Sequence, residues 1–238
     1  MRRMLVLVVS LLLIPSFSFA AGRIGKRVKP TKVTVIKSLK MNPERTVVLR
    51  GDIDDVSVPP VISQMVDMEE ESKDEIFLIL NSPGGSVTDG VALITAILSI
   101  KSPVICVIDT EAYSMAAIIA SYCRKVYIHK NASLMFHEAS FGIKGSESIV
   151  KSRMEFITNY LESIHKQTAE VLNMPLEEYK AKLIKEWWLD SKQAVLSGVA
   201  DVVLEELVYK YDPPEAGGLF VVPKEFVPER LKDVDIRM

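Results

Sequence analysis

Histidine and cysteine are scarce in this chain, with three and two respectively among 238 residues. His129, His137 and His165 form no pair with Cys106 or Cys123 at ligand spacing, which leaves a zinc site without support and gives no reason to expect any metal or cofactor. Neither sign of charge is in excess. The formal net charge of −2 argues against bulk binding to nucleic acid. Internal repeats are missing as well, so a solenoid or propeller is not expected. The apolar run at the N-terminus, Met4 to Ile14, is only 11 residues long (14 − 4 + 1) and reaches about 16 when counted through Phe19, short of a membrane span.

That run has a different use. Residues 1–20 start with Arg2 and Arg3, break at Pro15 and end in Ser18-Phe19-Ala20, the pattern of a secretory leader cut before Ala21. An uncleaved membrane anchor is the alternative. In both cases the rest of the chain is exported, periplasmic or secreted, with the two arginines left on the cytoplasmic side. The mature 218 residues (238 − 20) are enough for one sizeable core. Before it, residues 21–44 form a basic arm in which Arg23, Lys26, Arg27, Lys29, Lys32, Lys37 and Lys40 precede any acid of the mature chain. The arm is expected to be solvated, with contact to a membrane surface or an acidic partner as its functional alternative. Cys106 and Cys123 are compatible with a disulfide in an oxidising compartment, but both stand in apolar stretches and are expected to be buried thiols.

From residue 45 to 210 the pattern is one of alternating strands and helices. Thr46 to Gly51 reads as a strand and turn, and the segment to Glu71 as a helix that tolerates Pro59 and Pro60 at its start. Glu75-Ile76-Phe77-Leu78-Ile79-Leu80 barely alternates, which predicts a strand buried on both faces and hence a parallel sheet. A helix over 88–99, a strand over 104–108, a helix over 114–122 and strands over 125–128 and 133–136 follow. A glycine-containing excursion, Phe141 to Ser146, leads into a long amphipathic helix from Glu147 to Leu172, with Met154, Ile157, Leu161, Ile164 and Thr168 on one face. Pro213-Pro214 and Gly217-Gly218 mark off a tail over 211–238. Right-handed crossovers make this an α/β fold with helices outside the sheet.

Two short stretches carry chemistry. Asn81-Ser82-Pro83-Gly84-Gly85-Ser86 is a glycine turn able to aim backbone N–H groups at an anion, and Ser114, 29 residues after Gly85 (114 − 85), opens an apolar helix at the end of a buried strand. Alone, Ser114 is as well explained as a helix cap and His137 as a rim histidine. As a pair they supply the nucleophile and the base that a serine needs, and Glu186, Asp190 and Asp201 are candidates for the group that orients the imidazole. Trp187-Trp188 is read as packing beside that acid rather than as a peptide platform.

Through Leu80-Asn81-Ser82-Pro83-Gly84-Gly85, Tyr113-Ser114-Met115-Ala116, Leu134-Met135-Phe136-His137 and Ala194-Val195-Leu196-Ser197-Gly198-Val199-Ala200-Asp201, the chain from about Arg45 to Tyr209 resembles the Clp protease proteolytic subunit. The resemblance implies a ClpP/crotonase-like spiral of stacked β-β-α units with a protruding handle helix. It also implies Ser114 as nucleophile, His137 as general base, and the N–H groups of Gly85 and Met115 as an oxyanion hole. The family's acidic position falls on Glu186 where aspartate is usual, Ala116 stands where glycine is usual, and Glu138-Ala139 replaces a common glutamine-proline. Phe141 to Gly145 with the long helix resembles the handle that joins subunits into stacked rings; the other reading is a strand that pairs with substrate backbone. Peptides or unfolded proteins are the implied substrates and a homo-oligomeric ring the implied assembly. The ATP-driven unfoldase of cytosolic relatives would have no role after export. The rivals are a catalytically weak ring-forming binding scaffold and an acyl-coenzyme A enzyme of the crotonase kind.

Overall fold

The computed structural model describes residues 26–207; the leader over 1–20 and the tail over 211–238 lie outside them. Four parallel strands form the spine: β2 (Thr46–Arg50), β3 (Ile76–Ser82), β4 (Val104–Tyr113) and β5 (Lys125–His129). On the outer side of β5 come β8 (Val202–Glu206) and β1 (Val35–Ser38), giving the order β1-β8-β5-β4-β3-β2. The unalternating sequence of β3 is explained by burial of Ile76 to Leu80 without a gap. Leu78 and Leu80 enter the larger core with Val47, Leu49, Cys106 and Ile108, while Phe77 and Ile79 enter a second with Ile105, Val107 and Leu204. Successive side chains of one strand thus feed opposite faces.

Helices α1 (Val58–Glu71), α2 (Val87–Ser99) and α3 (Met115–Ser121) connect the spine strands. Pro59 and Pro60 occupy the first turn of α1, where their missing N–H groups have no helical partner to lose. Ser86 caps α2 by accepting from the Asp89 N–H.

β4 is twice the length expected from its apolar run, and the extension builds the site. Its first half, Ile105 to Ile108, pairs with β5; its second half, Glu111 to Tyr113, pairs with β6 (Ser133–Phe136). β6 in turn pairs antiparallel with β7 (Trp187–Asp190). One strand therefore serves two neighbours and curls the sheet, placing the ends of β4 and β6 side by side. The polar residues Asp109, Thr110 and Glu111 concealed this extension from a search for apolar runs.

The long helix α4 (Glu147–Val171) packs on α3 and on α5 (Leu176–Leu183) through its C-terminal half, where Ile164 and Thr168 are buried. Ile149, Met154 and Phe156 in its N-terminal half are exposed, Phe156 by 67%. A protruding handle with an apolar surface is what these exposures describe. The last helix, α6 (Ser191–Leu196), starts from a capping box between Asp190 and Gln193.

Two expectations change. Cys106 and Cys123 are joined in a disulfide between β4 and the end of α3, with Cα atoms 5.8 Å apart, rather than standing as separate buried thiols. Both are in apolar stretches as expected, but the strand and helix that carry them pack directly together. In the segment assigned to a solvated arm, Val35–Ser38 pairs in parallel with β8, and Arg27 is buried. The Arg27 guanidinium donates to the carbonyls of Ala120, Ser121 and Cys123 at the C-terminal end of α3 and pairs with Asp201 at 3.1 Å. These bonds tie the N-terminal segment to the carbonyl end of α3. Lys26, Lys29, Lys32, Lys37 and Lys40 remain exposed.

Candidate active site

The glycine turn leaves β3 at Ser82. Its neighbour strand end is stitched to it: Ile53 N–H donates to the Gly84 carbonyl and Ser86 N–H to the Ile53 carbonyl. Gly84 and Gly85 have φ of +101° and +148°, a region open to glycine. A Cβ on Gly85 would stand 2.3 Å from the Ile53 carbonyl oxygen, and one on Gly84 would stand 2.7 Å from both Tyr113 O and Ser114 Cβ. The turn backbone is thereby brought against the Ser114–Met115 peptide, with the Met115 nitrogen 3.2 Å from that Gly84 position. Neither Gly85 N–H nor Met115 N–H donates among the turn, loop and cap bonds of the described residues.

Ser114 joins β4 to α3 with φ 54° and ψ −122°, a strained conformation for a residue with a Cβ. A serine that merely caps a helix has extended backbone and turns its hydroxyl onto the N–H groups of the first turn. Ser114 makes no such bond. Its N–H donates to Met135 O at 2.7 Å, and its own carbonyl accepts from Ala117 and Ile118. The bond to Met135 ties the serine to β6, whose next residues are Phe136 and His137. His137 Nε2 and Ser114 Oγ are 2.8 Å apart. Oversatisfied backbone therefore holds the strain, and the hydroxyl faces the imidazole.

The three candidate acids fare differently. Glu186 is exposed, has φ 52°, and accepts from the Trp188 indole N–H at 3.1 Å. No hydrogen bond joins it to His137 among the described residues. Asp190 caps α6, accepting from Gln193 N–H at 2.8 Å. Asp201 accepts from Val126 N–H at 2.7 Å and pairs with Arg27. Asp190 and Asp201 are thus committed to the scaffold. Trp187 packs on Phe136 with ring centroids 5.3 Å apart, and the half-exposed Trp188 meets Tyr113 edge-on at 5.1 Å.

Beside the serine and histidine lies a small cleft of about 20 Å³, room for about one water molecule, walled by Val87, Met115, Ile118, Leu161 and Ile164. His165 also lines it. Burial pushes the His165 imidazole below its ordinary pKa, toward the neutral form. The helical spacing of Leu161, Ile164 and Thr168 was the signal that His165 shares their inward side, and the apolar stripe drew attention away from it.

A sequence model of the Clp protease family matches residues 19–207, covering the glycine turn, the serine and histidine blocks and all of the described fold. The curled, mainly parallel sheet, the projecting helix and the extent of that match lead to one conclusion: the chain belongs to the Clp protease family.

Proposed function

We propose that this protein is an exported serine peptidase that hydrolyses unfolded proteins or short peptides. The observation that carries the reading is the 2.8 Å contact between Ser114 Oγ and His137 Nε2 at a serine held in a strained, non-capping conformation. Ser114 Oγ attacks the scissile carbonyl while His137 takes its proton. The C–N bond then breaks and His137 gives that proton to the departing amine; a water molecule, activated by the same imidazole, releases the acyl group. The N–H groups of Gly85 and Met115 hold the developing oxyanion. Glu186 orients His137 once its carboxylate leaves Trp188.

Exposed apolar surface supports assembly into a ring. Ile149, Met154 and Phe156 on the handle, and Val48, Val56 and Val66 on the β2–α1 side, are exposed apolar residues that a ring would cover. Enclosing the sites would restrict an unspecific peptidase to extended chains. Export rests on the leader pattern of residues 1–20 and agrees with the Cys106–Cys123 disulfide, since such bonds persist in oxidising compartments. Separation from ATP removes the use of an ATP-driven unfoldase.

One observation favours a second reading, a ring-forming scaffold with weak catalysis: Glu186 bonds to Trp188 and not to His137. An acyl-coenzyme A reaction of the crotonase kind would use the glycine turn but has no need of the serine–histidine contact. Labelling of the purified full chain with a fluorophosphonate separates them. The peptidase reading expects label on Ser114, lost in Ser114→Ala; an unlabelled Ser114 in the folded protein contradicts it.

A further inference from the structure

The proposed chemistry calls for a carboxylate at His137, and the acid placed to supply it is bound elsewhere. Glu186 is the residue before β7 and His137 the residue after β6; the antiparallel register that sets Phe136 against Trp187 leaves both at the same end of the strand pair. The Glu186 backbone lies in the left-handed region at φ 52°, and its carbonyl accepts from the Trp188 N–H at 3.0 Å. Its carboxylate accepts from the Trp188 indole N–H at 3.1 Å. Trp188 is 52% exposed, so core packing does not account for a tryptophan there. Its ring is seated edge-on against Tyr113, which precedes Ser114 and is itself fixed by a 2.8 Å hydrogen bond between its hydroxyl and that of Ser133.

We propose that Trp188 is a positioning residue that restrains the peptidase by competing with His137 for the Glu186 carboxylate. This rests on the serine-peptidase reading, because the competition matters only if His137 is the base for Ser114. An indole N–H is a donor and nothing else, so Trp188 holds the carboxylate without taking part in proton transfer. The His137 imidazole becomes positively charged as it takes the serine proton, and the carboxylate is then drawn to it. Each turnover therefore exchanges one hydrogen bond of Glu186 for another. Losing a single hydrogen bond to the indole shifts that exchange by about threefold to tenfold. The ring and the donor are separable: the contact with Tyr113 needs an aromatic ring, and the restraint needs only the N–H.

The test measures kcat and KM for a capped peptidyl coumarin amide, and the rate at which a fluorophosphonate labels Ser114. Full-length wild type, Trp188→Phe, Glu186→Ala and the double variant are compared, with a melting curve for each. Trp188→Phe keeps a ring for Tyr113 but has no donor, so kcat and the labelling rate should each rise about threefold to tenfold while KM stays within about twofold. With Glu186→Ala, which has no acceptor, the same change should bring no gain, because Trp188 acts through that carboxylate. Labelling reads the restraint without depending on the choice of peptide. Trp188→Met also lacks a donor and carries the same expectation where the phenylalanine variant does not fold; failure of both to fold makes Trp188 a scaffold residue and overturns the assignment. Rates unchanged within about twofold, or lowered, in a folded variant overturn it too, as does a gain that persists with Glu186→Ala. A folded wild type that takes no label brings down the peptidase reading and this one with it, whereas label on Ser114 without a gain in Trp188→Phe removes the restraint alone.

Discussion

Gly85 and Ser114 show how a single backbone position decides what a side chain can do. Both lie at positive φ, one because no Cβ fits beside Ile53 and the other because hydrogen bonds on either side of it hold a strained turn. Gly85→Ala should therefore displace the turn, lower stability by on the order of 2–4 kcal/mol and remove most peptidase activity, as read by urea unfolding and peptide cleavage. A folded Gly85→Ala with full turnover would exclude the turn from the chemistry. The acids allow a sharper comparison. Glu186→Gln should cut kcat by up to about ten-thousandfold while the melting temperature holds, if the carboxylate orients His137 during turnover. Asp190→Asn should instead leave both stability and kcat little changed, since an asparagine amide oxygen can still accept from the Gln193 N–H and caps a helix about as well. A reversal of these two patterns would assign the orienting role to Asp190. The residue types and order of Ser114, His137 and the glycines were legible in the sequence. The strain at Ser114 was not, because serine is common at helix starts and φ leaves no trace in the residue name.

At the scale of elements, the joint between α1 and β4 depends on one carboxylate. Glu69 accepts from the backbone N–H groups of Lys101 and Ser102 and from the Lys73 ammonium. Desolvation alone would raise its pKa, but the hydrogen bonds from Ser102 and Lys101 and the contact with Lys73 outweigh it and hold the carboxyl at about 2 instead of 4.5. The folded pKa lies below the unfolded one, so this contribution is present in full above about pH 4.5 and is lost as pH falls toward 2. Glu69→Gln should melt lower than wild type at pH 7, and the two curves should converge near pH 2. A constant difference across that range would mean the glutamate's charge is not what holds the joint. Helices α1 to α4 and the spine strands were legible from periodicity, whereas the short elements α5, α6, β7 and β8 were not. The far half of β4 was not, since three polar residues interrupt its apolar run, nor was β1, whose partner β8 is distant in sequence. The site depends on that far half, because pairing of Tyr113 with Met135 is what brings the end of β6 to Ser114.

Over the whole molecule, the N-terminal segment and the disulfide converge on α3, the helix that Ser114 opens. Arg27 closes its C-terminal end, and Cys123 just beyond it is linked to Cys106 in the sheet. Protein from its native host, denatured without reductant and treated with iodoacetamide, should show no alkylated cysteine; two alkylated thiols would contradict both the bond and an oxidising compartment. Everything in this arrangement fixes one contact, that of Ser114 with His137, and the central claim is that the two act as one catalytic unit. The most direct measurement is steady-state cleavage of an unfolded protein by wild type, Ser114→Ala, His137→Ala and the double variant at matched stability. Each single change should remove nearly all activity and the double change little more, since members of such a unit are strongly non-additive. Turnover like that of wild type in Ser114→Ala, or losses that simply multiply in the double variant, would contradict the account.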